Sequence, residues 1–198
     1  MSLLMPLPEP EILEKRDDIV SRLQAIVRPG NVIHLDRELS AYECDALTMY
    51  RQPPLVVVLP ETVAEVSAVL KLAQELNVKV VPRGSGTSLS GGSLPLADGI
   101  LLGMSKFNRV LEVDFENRCA VVQPGVTNLA ISKAVEHKGF YYAPDPSSQI
   151  ACSIGGNVAE NAGGVHCLKY GLTTNNLLGI EMVLMGGEVI RLGGKHLD

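Results

Sequence analysis

The stretch Pro82–Ser93 reads PRGSGTSLSGGS and holds four glycines, five hydroxyl side chains and no acidic residue. It follows the apolar run at Val80 and Val81 and precedes a second apolar run, Gly99–Leu102. Glycines allow successive backbone N–H groups to turn toward one centre without a Cβ clash, and such a group of donors binds anions. The sequence therefore predicts a phosphate-binding loop between two strands.

Two common phosphate motifs do not fit this stretch. The dinucleotide fingerprint G-x-G-x-x-G is matched at Gly84 and Gly86, but Leu89 stands where its third glycine belongs. A Walker A loop needs a lysine where the chain has Gly92, so triphosphate chemistry is not expected. The alternative is a flexible surface loop that binds nothing.

A second glycine-rich segment, Ser153–Gly164, reads SIGGNVAENAGG. It comes after Pro144–Ser148 (PDPSS) and before Tyr170–Gly171. Two such segments in one chain favour a single extended ligand bound by both, and a diphosphate with a sugar and a ring at each end suits that description.

The motifs occur in the order PRGSGTSLSGG, VQPGV, PDPSS, SIGGNVAENAGG and YG. This order resembles the FAD-binding domain of the vanillyl-alcohol oxidase / p-cresol methylhydroxylase flavoprotein family, over residues 38–198. Within that family the chain is most similar to the FAD-linked subunits of bacterial glycolate oxidases, which are related to D-lactate and D-2-hydroxyglutarate dehydrogenases. The run Tyr141–Cys152 and the segment His166–Gly171 carry this closer likeness.

The resemblance implies a cofactor, FAD, and a set of residues that bind it. The first segment would bind the diphosphate and return toward the flavin side through Gly84, Ser85, Gly86, Thr87, Ser88, Gly91, Gly92 and Ser93. Pro144 and Asp145 would lie beside the adenosine. The second segment would lie near the flavin ring and ribityl chain, through Ser153, Gly155, Gly156, Asn157, Asn161, Ala162 and Gly163.

The resemblance also implies a reaction, in which a small 2-hydroxy acid such as glycolate loses hydride from Cα to FAD and becomes a 2-oxo acid. The chain would be a fragment that lacks the substrate domain, so no catalytic residue and no metal ligand is assigned, and the fragment itself is expected to be inactive. Companion oxidase subunits, one an iron–sulfur protein, are implied. The alternatives are a D-lactate or D-2-hydroxyglutarate dehydrogenase, or a module that only binds a nucleotide or assists assembly.

The predicted fold is α+β with two lobes and a C-terminal truncation. Residues 1–52 form an N-terminal helical and approach segment, residues 53–103 a βαβ lobe, and residues 104–198 an incomplete, mostly antiparallel lobe, with the ligand expected in a groove between lobes. In the first lobe, Thr62 and Glu65 form a capping box at the start of a helix. The pair Gly186–Gly187 is typical of a type I′ hairpin turn in the second lobe.

Composition excludes several classes. The formal net charge of −5 argues against a nucleic-acid-binding surface, and no apolar run is long enough to span a membrane. The N-terminus lacks the features of a signal peptide, so a cytoplasmic location is expected. The cysteines have no C-x-x-C spacing and are expected to be reduced and mostly buried thiols: Cys44, Cys119, Cys152 and Cys167.

Three residues allow two interpretations each. Arg83 could neutralise a phosphate or pair with a carboxylate. Asp145 could accept a ribose hydroxyl or begin a turn. His166, beside Cys167, could be a covalent flavin attachment point or a histidine packed near the flavin, and the second is favoured.

Overall fold

A computed structural model of the chain describes residues 5–195. These residues form two compact units, and the first comprises residues up to Lys106 together with Val183–Val189. The second comprises Phe107–Met182 and the residues from Ile190 onward. The α+β class predicted from the sequence is confirmed.

The first unit is built on a four-stranded sheet in the order β1-β2-β4-β3. The strands are β1 (Val32–Ile33), β2 (Val56–Val58), β3 (Lys79–Arg83) and β4 (Gly99–Gly103). β4 is parallel to both β2 and β3, and β1 is antiparallel to β2. The βαβ unit predicted from the sequence would pair β2 with β3 in parallel. In the structure β4 lies between them, and all five of its residues are buried, as is typical of a central strand.

Helix α4 (Val63–Glu75) connects β2 to β3. Its predicted capping box is present, because Thr62 Oγ1 accepts from the Glu65 N–H while Glu65 Oε2 accepts from the Thr62 N–H. The helix is followed by Asn77, whose φ of +54° is the left-handed conformation in which helices commonly end. The helix leads into β3, which pairs with β4 along its whole length. The position of the last residue of β3 is therefore fixed by its pairing with β4.

The N-terminal part of the first unit is helical. Apolar residues at helical spacing predict one helix that begins at Pro10, but the structure divides it at Lys15 into α1 (Pro10–Glu14) and α2 (Arg16–Ile26). Ile19 and Leu23 of α2 are almost fully buried, as the apolar spacing predicted. A short helix α3 (Asp36–Leu39) continues into a 3₁₀ turn, Ser40–Tyr42.

The second unit contains two hairpins and three helices. The strands are β5 (Val110–Asp114), β6 (Cys119–Val122), β7 (Gly179–Val183) and β8 (Val189–Gly193), and the tip of the second hairpin belongs to the first unit. The helices are α5 (Asn128–Val135), α6 (Ile154–Glu160) and α7 (Cys167–Tyr170). A small core of Val126, Ile131 and Ile154 joins α5 to the start of α6.

Three local expectations need correction. The hairpin at Gly186–Gly187 is not a type I′ turn, because only Gly187 has a positive φ and a type I′ turn requires it at both central residues. The second glycine-rich segment, expected to be a loop like the first, is helical over Ile154–Glu160 (α6) and irregular from Asn161 to Gly164. The cysteines are free thiols, but only Cys152 is buried. Within residues 5–195, no helix combines the length and apolar character that crossing a bilayer requires.

Candidate functional site

The phosphate loop predicted from the sequence, Pro82–Ser93, begins with the last two residues of β3, at the carboxyl edge of the parallel strands. Among the described residues, no protein acceptor takes a hydrogen bond from the N–H groups of Gly84, Ser85, Gly86, Thr87 and Ser88. Gly86 has φ of +68°, a conformation that glycine adopts at no steric cost. Five successive donors left free by the protein are what an anion needs.

A cavity of about 480 Å³ in the first unit lies beside these donors. Gly84, Ser85 and Gly86 line it, together with residues of β4 such as Leu101 and Gly103. Thr87, Ser88, Gly91, Gly92 and Ser93, which were also predicted to bind the cofactor, do not line this cavity. Ligands of open parallel sheets usually bind at this edge.

Arg83 forms hydrogen bonds with backbone carbonyls and, within the described residues, no ion pair with a carboxylate. Its side chain is 8% exposed, and its Nε and Nη2 donate to the Ser93 carbonyl at 3.1 and 2.6 Å. Nη1 donates to the Tyr42 carbonyl at 3.0 Å. Burial lowers the pKa of Arg83 from its ordinary value, and the nearby charge of Asp45 opposes that shift. The guanidinium therefore stabilises the loop by donating hydrogen bonds to the backbone carbonyls of Ser93 and Tyr42.

Asp45 was not identified from the sequence, although it lines the same cavity. Its carboxylate is buried and accepts from the Leu47 N–H at 2.8 Å and from Ser93 Oγ at 3.2 Å. Ser93 lies 48 residues further along the chain, and no local pattern connects positions so far apart. The phosphate loop itself contains no acidic residue, but the fold places the Asp45 carboxylate beside Ser93 at its end.

In the second glycine-rich segment, most glycines are required for packing. A Cβ at Gly155 would lie 2.6 Å from Pro124 Cβ. A Cβ at Gly163 would collide with Cys167 Sγ, and one at Gly164 with the Asp145 carbonyl. Only Gly156 opens toward free space, where an added Cβ would meet Ser153 Oγ alone, at 3.6 Å.

Ser153 and Gly156 leave polar groups available at the start of α6. Within the described residues, Ser153 Oγ is the one buried side-chain oxygen or nitrogen without a hydrogen-bond partner. Ser153 stands at the N-cap position but its hydroxyl does not cap the helix, and the Gly156 N–H has no protein acceptor in the described chain. A buried hydroxyl without a partner costs about 1–3 kcal/mol, so this arrangement favours an external partner.

A buried amide network joins α6 to the Pro144 segment. Asn157 Nδ2 donates to Asn128 Oδ1 at 2.6 Å, and Asn128 Nδ2 donates to the Pro144 carbonyl at 3.0 Å. Asn128 is 1% exposed and Asn157 5% exposed. The structure thus brings together Pro144 and Asn157, and the Asn157 amide N–H₂ is directed at protein acceptors.

The end of α6 is fixed by polar contacts within the unit. Asn161 has φ of +51°, and its Oδ1 accepts from both the N–H and the hydroxyl of Thr174. The Ala162 carbonyl accepts from the N–H of Thr173 at 3.0 Å and from its hydroxyl at 2.6 Å. The oxygens of Asn161 and Ala162 therefore already have partners in the protein.

Asp145 pairs with His166. Asp145 Oδ2 lies 2.8 Å from His166 Nδ1, while Oδ1 accepts from the His166 N–H at 3.3 Å. The neighbouring Cys167 Sγ accepts from the Gly164 N–H at 2.8 Å. His166 Nδ1 and Cys167 Sγ are thus both engaged by the protein itself.

Comparison with known proteins identifies the domain. A family model described as "FAD binding domain" matches residues 54–193. The chain belongs to the FAD-binding domain family. FAD is therefore the cofactor of this domain, and the resemblance expected from the motifs is confirmed.

Relatives of known sequence include three bacterial and archaeal oxidoreductases. Glycolate oxidase subunit GlcD of Escherichia coli K12 is 55% identical over 92% of this chain and 37% of that protein. The Bacillus subtilis GlcD is 43% identical over 90% of the chain and 38% of that protein. The D-lactate dehydrogenase of Archaeoglobus fulgidus is 42% identical over 77% of the chain and 36% of that protein. The chain spans little more than a third of the length of these relatives.

Solved structures show the same fold at low sequence identity. Alkyldihydroxyacetonephosphate synthase aligns with a TM-score of 0.79 at 23% identity, over 96% of this chain and 36% of that one. p-Cresol methylhydroxylase aligns with a TM-score of 0.75 at 21% identity, over 90% of this chain and 35% of that one. The fold class predicted from the sequence, an FAD-binding domain of the p-cresol methylhydroxylase type, is confirmed.

The donors of this FAD-binding domain fit the cofactor. The free N–H groups of Gly84–Ser88 suit the diphosphate, which carries acceptors only. The unpartnered Ser153 Oγ and the free Gly156 N–H suit the polar edge of a ring or sugar. Both sets are donors without a protein partner in the part of the chain that the structure describes.

Proposed function

We propose that this chain is the FAD-binding part of a flavin-dependent 2-hydroxy acid oxidoreductase of the glycolate oxidase type. The observation that carries the proposal is the run of five free N–H groups, Gly84–Ser88, at the carboxyl edge of the parallel strands. The glycolate oxidase subunits GlcD, at 55% and 43% identity, favour glycolate among the hydroxy acids.

In this proposal the residues have distinct roles. The N–H groups of Gly84–Ser88 bind and neutralise the diphosphate, which requires no lysine or arginine contact. Gly91, Gly92 and Ser93 shape the return of that loop, and Pro144 and Asp145 lie beside the adenosine. Ser153 and Gly156 donate toward the flavin end, while the remaining residues of the second segment hold α6 in place: Gly155, Asn157, Asn161, Ala162 and Gly163.

Bound FAD supplies the redox chemistry, because it accepts the hydride that leaves Cα of the hydroxy acid as the 2-oxo acid forms. The protein binds and orients the cofactor. We further propose that the whole protein contains residues that bind and deprotonate the substrate, that it acts with companion subunits, one of them an iron–sulfur protein, and that it is cytoplasmic. The free thiols of the chain fit a reducing compartment.

Titration of the purified chain with FAD, followed by flavin fluorescence, tests the binding role. We expect saturable binding with one FAD per chain. Absence of binding by a folded chain would contradict the proposal.

Substrate choice is tested on a full-length protein that carries this domain, with a dye as electron acceptor. We expect glycolate to be oxidised with the highest kcat/KM among glycolate, D-lactate and D-2-hydroxyglutarate. The last two are the alternative substrates, because a D-lactate dehydrogenase and a D-2-hydroxyglutarate dehydrogenase match the chain at 42% and 32% identity. We expect no turnover of glycolate by the 198-residue chain alone, and turnover would show that the catalytic groups lie within it.

A further inference from the structure

The segment Tyr42–Ala46 lies far from the phosphate loop in the sequence but contacts it at three points. The contacts are Arg83 Nη1 to the Tyr42 carbonyl at 3.0 Å, the Ala46 N–H to the Gly86 carbonyl at 2.9 Å, and Ser93 Oγ to Asp45 Oδ2 at 3.2 Å. One contact lies at the start of the loop, one inside it and one at its end.

Ser93 is held from two sides by charged groups. Its hydroxyl donates to the carboxylate of Asp45, which is 5% exposed, and its carbonyl accepts two hydrogen bonds from the guanidinium of Arg83. Buried charges are costly unless they are hydrogen-bonded and near an opposite charge, and both conditions are met by this arrangement. The unit consisting of Asp45, Arg83 and Ser93 is called the loop clasp below.

We propose that the loop clasp positions the phosphate loop for FAD, so that Asp45 and Arg83 act on cofactor binding through Ser93 and not by contact with FAD. This inference rests on the proposed function. Both residues line the cavity, but the hydrogen bonds described above direct Asp45 and Arg83 at the loop and its flanking backbone.

The need for a clasp follows from the composition of the loop. Between Arg83 and Ser93 stand four glycines, and Gly86 and Gly91 have φ of +68° and +81°. Fixing the backbone of one residue costs roughly 1–2 kcal/mol, and glycine loses more freedom than other residues. When the loop is already ordered before FAD binds, the entropy cost of ordering it does not reduce the free energy of binding. Loss of the clasp contacts should therefore weaken binding.

The test is a double-mutant cycle on the 198-residue chain, read as the dissociation constant for FAD. We expect Asp45→Ala and Ser93→Ala each to raise it about tenfold, which corresponds to roughly 1.4 kcal/mol. The double variant should bind no more weakly than the weaker single variant, because both changes remove the same contact. Asp36→Asn, which alters an exposed carboxylate of the same unit, is the control and should change the constant less than twofold.

Three outcomes would overturn the inference. Additive losses in the double variant would indicate that Ser93 contacts FAD directly. Wild-type affinity in both single variants would show that the clasp does not position the loop. Loss of thermal stability with no change in affinity, once the folded fraction is measured by circular dichroism, would show a purely structural role.

Asp45→Asn serves as the conservative variant, and it keeps the test valid if Asp45→Ala does not fold. Its amide retains an oxygen for the Leu47 N–H and can donate to Ser93 Oγ, so we expect a dissociation constant within about threefold of wild type. Affinity as weak as that of Asp45→Ala would contradict a role for the hydrogen bond. If the wild-type chain bound no FAD, the proposed function would fail first; if it bound FAD and the variants matched it, only the clasp would fail.

Discussion

Lys79 Nζ lies 2.6 Å from Asp98 Oδ2, at the start of β3 and immediately before β4. The Asp98 side chain is 4% exposed and also accepts from the Glu9 N–H at 3.0 Å. Burial disfavours the charged carboxylate, but the hydrogen bonds from Lys79 and Glu9 outweigh it and lower the pKa of Asp98 below its usual 3.8. The pair fixes the register of the two strands that precede and follow the phosphate loop.

Replacing Asp98 should show how the contribution of its carboxylate to the free energy of unfolding depends on pH. Because the pKa of Asp98 is lower in the folded state than in the unfolded state, its contribution is present above the unfolded value and is lost as pH falls through the folded value. We expect Asp98→Asn to reduce the free energy of unfolding by about 1–3 kcal/mol at pH 7. In urea denaturation this difference should shrink below pH 4. A difference that stays constant down to pH 2 would contradict the assignment.

The exposed pair of Arg16 and Asp36 offers the matched control for that experiment. Their nitrogen and oxygen lie 3.3 Å apart, but the Asp36 side chain is 92% exposed. Exposed ion pairs contribute about 0–1 kcal/mol, so Asp36→Asn should leave the unfolding free energy nearly unchanged over the same pH range.

Gly86→Val should abolish FAD binding in a fluorescence titration while the fold persists. A valine at φ of +68° is strained by roughly 1–2 kcal/mol and forces the loop to change the direction of its N–H groups. Gly139→Val controls for strain alone, since Gly139 has φ of +76°, open space for a Cβ and no assigned role in binding. Equal losses of affinity in both variants would show that strain, and not the phosphate loop, is responsible.

Ser153→Ala should move stability and affinity in opposite directions. Removing a buried hydroxyl that has no protein partner should raise the free energy of unfolding of the FAD-free chain by about 1 kcal/mol. Loss of the same donor should raise the dissociation constant for FAD about three- to tenfold. Ser132→Ala is the control, because the Ser132 hydroxyl accepts from the Tyr142 N–H at 3.0 Å, so its removal should destabilise the chain and leave FAD affinity unchanged. Destabilisation by Ser153→Ala would contradict the assignment.

FAD should be released when the protein is denatured. His166 Nδ1 is paired with Asp145, and Cys167 Sγ accepts a backbone hydrogen bond, so a flavin bond at either of these atoms would cost an existing contact. Acid precipitation of the loaded protein should leave the flavin in the supernatant. Flavin fluorescence that remains with the denatured chain on a gel would indicate a covalent link.

The sequence predicted well those features whose cause is local. The capping box of Thr62 and Glu65 spans four residues, and the glycine-rich loop directly follows the strand that precedes it in the sequence. The contact between Asp45 and Ser93 could not be predicted, because it joins residues 48 positions apart and neither belongs to a recognisable pattern. Position in the three-dimensional fold, and not residue type, makes Asp45 part of the site.

The second glycine-rich segment shows a different limit. A glycine that packs closely against a neighbour, as Gly155 does against Pro124, has the same appearance in a sequence as a glycine with open space beside it, such as Gly156. The motif did not separate glycines needed for packing from those available to a ligand, and it did not reveal the helix Ile154–Glu160. That separation required the position of each absent Cβ.

The free N–H groups of Gly84–Ser88 have a practical consequence for mutational mapping of this domain. Every residue type except proline presents the same main-chain amide, so replacing Ser85, Thr87 or Ser88 by alanine removes a hydroxyl and leaves the amide intact. An alanine scan would therefore keep the hydrogen bonds proposed for these amides and underestimate the contribution of Gly84–Ser88 to FAD binding. Proline, which lacks the N–H, or an ester in place of a single peptide bond would reveal them one at a time.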